Sequence, residues 1–162
     1  GANDFFYLED HTEKAKALPD KDFKLVFGKD KRQAEDQYFW AAYGWYYCAM
    51  NNRHYILERE YLQPLFKSQR EASGLDVDQE NLKYRVLVCR EDKDTLSSRK
   101  QQVLNYIQDG ERLEIHKKPS VRGRKRWYDL TGTAVAGDFI FPAKIGEKYR
   151  LIDNRAGRVF FF

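Results

Sequence analysis

Residues 84–110 read YRVLVCREDKDTLSSRKQQVLNYIQDG, and two different periods follow one another inside them. From Tyr84 to Cys89 the even positions are apolar and the odd ones mixed, which predicts a strand buried on at least one face and central in its sheet. Asp94 or Thr95 then caps a helix whose Leu96, Val103, Leu104 and Ile107 share one stripe, and Gly110 stands where a left-handed residue stops it.

Outward from this core, shorter signals extend the pattern. Downstream, Leu113 and Ile115 alternate as a strand, Trp127 to Leu130 open a further pairing segment, and residues 139–141, 149–152 and 159–162 read as strands. Asp153-Asn154-Arg155-Ala156-Gly157 has the chemistry of a hairpin turn joining the last two. Upstream, FKLVF (23–27) ends at Gly28 as a short strand, and the seven aromatics of residues 38–50 mark a core element, helix or strand. Residues 55–58 are a strand leading to Tyr61-Leu62-Gln63-Pro64-Leu65-Phe66, and 71–81 are acidic and loop-like. The expectation is an α+β fold over residues 1–162, a single domain with a mainly antiparallel, twisted sheet and about three helices.

The chain has 162 residues, enough for one core, with 11 Tyr, 11 Phe and 3 Trp but one Met. Rigid rings of this kind suit a sheet-containing core. No apolar run approaches the roughly 20 residues that span a bilayer, and no signal peptide is present, so a cytoplasmic protein is expected with no membrane partner. Cys48 and Cys89 are too few for a disulfide framework or zinc site and are expected reduced. The chain opens on Gly1 and closes on Val159-Phe160-Phe161-Phe162, ends that suggest a fragment of something longer.

Charge is unevenly placed. With 29 Lys and Arg against 25 Asp and Glu the net charge is +4, and KKPSVRGRKR (117–126) carries six cations and no acid, leaving the remainder at −2. A local cationic stretch with Gly and Ser inside it and aromatics at its edge suits a polyanion, nucleic acid first. A solvated surface loop is the plainer reading.

Enzyme motifs fail on inspection. Gly132 to Gly137 has the glycine spacing of a phosphate loop, but Asp138-Phe139 follows where Lys-Ser or Lys-Thr belongs. His11, His54 and His116 lack the short-range partners of a metal site, and no nucleophile motif occurs, so neither a metal nor a catalytic residue is assigned. Glu91-Asp92-Lys93, with Asp76 or Asp78 upstream, is a weak nuclease-like match at the polar exit of a strand.

Taken in order, Tyr61-Leu62-Gln63-Pro64-Leu65-Phe66-Lys67-Ser68, Tyr84-Arg85-Val86-Leu87, Tyr106-Ile107-Gln108-Asp109-Gly110-Glu111, Arg126-Trp127-Tyr128-Asp129-Leu130 and Arg150-Leu151-Ile152-Asp153-Asn154-Arg155-Ala156-Gly157 resemble the target-recognition (specificity) domain of bacterial N6-adenine DNA methyltransferases of restriction-modification systems. The resemblance runs over about residues 55–160. It implies a DNA-reading module whose partner, the catalytic methyltransferase domain of the same parent chain, binds S-adenosylmethionine and handles the flipped adenine with an Asn/Asp-Pro-Pro-Tyr/Phe motif. Here Pro19, Pro64, Pro119 and Pro142 are all isolated, so no cofactor is expected in this chain and double-stranded DNA is the expected partner.

In that role Lys117, Lys118 and Lys125 contact phosphate, which sets register, while Arg122, Arg124 and Arg126 are placed to read guanine bidentately, Gly123 letting the backbone approach closely. Tyr128 is a candidate stacking contact, although large rings at a strand start also serve as core anchors, the preferred reading for Trp127. Lys67, Arg70 and Arg155 are secondary contacts. An RNA-binding or protein-interaction module using the same loop, and a small metal-dependent nuclease, are the alternatives.

Overall fold

The Tyr84 strand lies inside a six-stranded sheet, where an apolar run with neighbours on both sides belongs. The computed structural model describes residues 1–34, 38–67, 71, 82–131, 137, 139–140, 152–155 and 160–161. The strands are β1 (Tyr7–Asp10), β2 (Tyr43–Cys48), β3 (Arg53–Glu58), β4 (Leu62–Phe66), β5 (Tyr84–Leu87), β6 (Phe139–Ile140), β7 (Ile152–Asp153) and β8 (Phe160–Phe161). The large sheet runs β3-β2-β1-β5-β4-β8; all its pairings are antiparallel except β4 with β8, and β6 and β7 form a separate antiparallel pair. The fold is α+β.

Several elements differ from the sequence expectation. Residues 20–27 form a helix, α3 (Asp20–Phe27), rather than a strand: Pro19 precedes it, Asp20 and Asp22 lie in its first turn, and Gly28 closes it at φ +65°. The helix expected from Asp94 is two helices. Asp92, not Asp94 or Thr95, caps α6 (Lys93–Ser98) by accepting from the Thr95 amide at 2.8 Å, and Lys100 at φ +54° turns the chain into α7 (Gln102–Arg112). Leu113 and Ile115 are not a strand, since Leu113 ends α7 and Ile115–Lys117 is a 3-10 turn. Trp127 and Tyr128 lie in a turn, and Asp129 and Leu130 have no regular structure, so the segment is not a strand. Nor does a hairpin join the last two strands, because β7 pairs with β6 while β8 joins β4. Helical segments are also more numerous, with short α1 (Asn3–Phe6), α2 (Thr12–Lys16), α4 (Lys31–Ala34) and α5 (Phe39–Ala42) in the first third. Residues 72–81 and 141–151 fall outside the described residues, as do the expected strand segment at 149–151 and most of 132–138.

The aromatic run of residues 38–50 becomes α5 followed by β2. In β2 Gly44, Tyr46 and Cys48 are buried on the inner face while Tyr43, Trp45 and Tyr47 are half-buried on the outer one. The inner face packs on α7, whose Val103, Tyr106 and Ile107 are fully buried. Glu58, 5 % exposed, holds that helix to the sheet by accepting from the backbone amides of Gln102 at 2.5 Å and Val103 at 3.0 Å. Those are amides that a helix start leaves without partners. Both cysteines are buried and free, and burial pushes the Cys89 thiol up to about 11.

Gly110 does not terminate α7 but sits within it, against Phe5 of α1 and Trp127. A Cβ at this position would come within 2.5 Å of Trp127 Cη2 and 2.6 Å of Phe5 Cζ. Phe5 in turn stacks on Tyr106 with ring centroids 4.4 Å apart, and Tyr106 Oη donates to the Phe5 carbonyl at 2.5 Å. Alanine is favoured over glycine in a helix interior by about 1 kcal/mol, whereas forcing atoms into a packed core costs about 1–3 kcal/mol. Two rigid rings cannot yield cheaply, so Gly110→Ala should lower stability by up to a net ~2 kcal/mol in equilibrium urea unfolding. A raised midpoint would show that the rings move aside without cost.

Candidate nucleic-acid interface

After the 3-10 turn the basic segment is wound rather than loose. The Val121 and Arg122 amides both donate to the Lys118 carbonyl at 3.0 Å, Arg124 donates to Val121 at 3.1 Å, and Asp129 to Arg126 at 3.0 Å. Val121 is 2 % exposed and pins the middle of the segment, while Trp127, Tyr128 and Leu130 anchor its end in the core. The charges between these anchors therefore project from a fixed framework.

The cations differ in their compensation. Lys117 pairs with Glu114, and Arg126 reaches Asp129 at 3.4 Å. Among the described residues no carboxylate pairs with Lys118, Arg122, Arg124 or Lys125. Arg122 and Lys125 are exposed and Arg124 half-buried. Arg124 Nη1, Arg126 Nε and His116 Nδ1 are buried nitrogens without a hydrogen-bond partner among the described residues. A Cβ at Gly123 would meet nothing within 4 Å, so the protein itself imposes no bare backbone there.

The other expected contacts fall in three places. Lys67, at the exit of β4, lies over the Tyr84 ring at 4.3 Å. It and Lys118 both act electrostatically on Asp4, whose carboxyl is held below its ordinary value first by the N-terminal ammonium. Arg155 is bound to Asp153 through Nη2 at 2.6 Å and lies over Phe139 at 5.1 Å. Arg70 lies outside the described residues. Tyr128 is corrected: it is 2 % exposed and its hydroxyl donates to the Glu91 carbonyl at 2.8 Å, so its ring is a core anchor and offers no face to a base. Burial pushes that hydroxyl up to about 12.

The nuclease-like acids are engaged elsewhere. Glu91 accepts from Tyr61 Oη at 2.7 Å and Arg99 at 2.6 Å, Asp92 caps α6, and Lys93 pairs with Glu111. Among the described residues no cluster of His, Cys, Asp or Glu could hold a metal ion, and no helix is long and apolar enough to cross a membrane.

The fold and site define a class: an α+β module with a wound, core-anchored segment that carries six cations within ten residues, four of them without a carboxylate partner among the described residues. The family model "Type II methyltransferase M.Eco57I, C-terminal domain" matches residues 46–160, and the chain belongs to that family of DNA-methyltransferase domains. The match includes the whole basic segment but not β1, which lies between β2 and β5; the first residues therefore complete the same sheet. No curated protein matches the chain, and no solved structure does.

Glu111 links the segment to α7 by accepting from Trp127 Nε1 at 3.1 Å. Burial raises its carboxyl, but the bonds from Lys93 and Trp127 outweigh this and leave it below the ordinary value. A carboxylate lowered by folding stabilises above its unfolded pKa, about 4.3 for Glu, and that contribution is lost as pH falls through the lower folded value. The Trp127 indole N–H resonance should accordingly shift below about pH 4 in an NMR titration. Glu111→Gln should remove the transition; an unchanged titration in that variant would assign it to another acid.

Proposed function

We propose that this chain is the DNA target-recognition module of an adenine-specific, bacterial, cytoplasmic methyltransferase. Methyl transfer from S-adenosylmethionine and base flipping then belong to the catalytic domain of the parent enzyme, and the chain itself neither binds the cofactor nor methylates. The observation that carries this reading is the set of unpaired cations, Lys118, Arg122, Arg124 and Lys125, on a wound segment within a type II methyltransferase C-terminal domain.

The roles follow from exposure and geometry. Lys118, Lys125 and Lys67 grip phosphates, which are the same at every base pair and so fix register alone. Arg122, exposed and flanked by the open Gly123, reads a guanine edge, with Arg124 beside it. Arg126 is the weaker reader because Asp129 already engages it.

With about 4–6 phosphate contacts, fluorescence anisotropy on duplex DNA should give a slope of log K against log salt of about −4 to −5. Lys118→Ala should weaken all duplexes alike and flatten that slope, and more so than Lys117→Ala, since Lys117 is already paired with Glu114. Arg122→Ala in the parent enzyme should cost about 1–3 kcal/mol on the cognate site and much less on random DNA. A salt slope near zero would remove the segment as a DNA contact. Parallel loss on cognate and random DNA in Arg122→Ala and Arg124→Ala would leave it a backbone grip, with the bases read elsewhere. Saturable S-adenosylmethionine binding by calorimetry would overturn the division of labour.

A further inference from the structure

At one end of the large sheet, β3 is the edge strand. It pairs with β2 in an unbroken register from Cys48↔Arg53 to Tyr43↔Glu58, and among the described residues no strand lies on its other side. Soluble proteins blunt such edges with proline, bulges or very short strands. β3 has six residues, RHYILE, with neither proline nor bulge.

The open edge is the floor of a groove of about 810 Å³. One wall is α3, through Val26 and Phe27, and the other is α7, through Asn105, Asp109 and Arg112. On the α3 side the groove adjoins an aromatic cavity of about 310 Å³, which shares Phe27 and Ile56 and is lined by Phe23, Phe39 and Tyr43. On this side Val26 is 50 % exposed, and Lys29 adds a charge to the cavity lining with its ammonium 5.1 Å from the Phe39 ring centroid. The α7 side is cationic. Arg53 and Arg112 reach the single carboxylate of Asp109 at 3.3 and 2.6 Å and stay 63 % and 68 % exposed, one positive charge in excess.

We propose that β3 is a docking edge for an extended protein segment in which apolar and acidic side chains alternate. Such a segment adds a strand to the sheet, its main chain pairing with the free edge of β3. Because side chains of a strand alternate between faces, every second residue lies with His54 and Ile56 toward the aromatic cavity. The residues between them lie with Arg53 and Tyr55 toward Arg112. The apolar side chains fill the cavity, and the acids meet the excess positive charge. The inference is independent of the DNA-reading role, since none of these residues belongs to the basic segment.

The test is fluorescence anisotropy of the full chain with a labelled octapeptide alternating phenylalanine and glutamate. The expected result is saturable binding. A shuffled peptide of the same composition, and one N-methylated on the alternate amides that face β3, should bind at least about tenfold more weakly, while N-methylation of the other amides is tolerated. Val26→Glu, at an exposed position that leaves the thermal midpoint unchanged, should weaken binding about tenfold, as should Arg112→Glu, and Val26→Glu should keep its DNA affinity. Absence of binding, or equal binding of the shuffled or of both methylated peptides, would overturn the proposal. Concentration-dependent dimerisation abolished by Val26→Glu would make a second copy the occupant. Displacement of the peptide by a single-stranded oligonucleotide would make it nucleic acid.

Discussion

The close approach of two aromatic rings to the bare backbone of Gly110 is the contact on which the remaining architecture depends. Phe5 brings the N-terminal segment, Gly110 and Tyr106 bring α7, and Trp127 brings the end of the basic segment. Rings are worth more when packed in contact than by buried area alone, and here the absence of one methyl group permits all three pieces of chain to share the same volume. Without it Trp127 would have to lift, and the turns that carry the cations would lose their far anchor.

That anchoring changes what the charges can do. Six cations on a loose loop would be screened within about a Debye length, and ordering them on a ligand would cost side-chain and backbone entropy. The hydrogen-bonded turns from Lys117 to Asp129 and the buried Val121, Trp127 and Tyr128 supply much of the backbone order during folding. The acids near the segment are selective in their pairing. Glu114 and Asp129 take Lys117 and Arg126, while the cations between them are left without a carboxylate.

The legible parts of the fold are those where one physical signal dominates. The β5 alternation and the Val103, Ile107 stripe of α7 stand out because burial alone selects those side chains, and the ordered motifs from Tyr61 to Gly157 identify the family over nearly the span that its model matches. At FKLVF, five residues fit either period, and the deciding information lay outside them, in Pro19, the acids of the first turn and the left-handed Gly28. Gly110 has the residue type of a helix stop, but a tertiary contact rather than a backbone dihedral requires it. Tyr128 and Arg122 are both candidate contacts in sequence, the ring with a core-anchor alternative; the core on one side of the segment separates the buried ring from the exposed guanidinium. The pairing of β8 with β4, and the remote capping of α7 by Glu58, join residues more than 40 positions apart, and no local pattern encodes either.

The same helix adjoins both proposed surfaces. α7 is fastened to β3 at its start by Glu58 and near its end by Arg53 and Tyr55 on Asp109, so helix and edge strand run antiparallel as one braced unit. Its last turn leads through the 3-10 turn at Ile115 directly into the basic segment. The bracing is made of buried or half-buried hydrogen bonds, which are expensive to leave unmade, and this favours a stiff unit over a hinge. Stiffness is what a reading surface needs, because an arginine fork discriminates bases only if its backbone is held in place while the phosphates are gripped. The edge strand and the start of the basic segment are therefore joined by one braced helix.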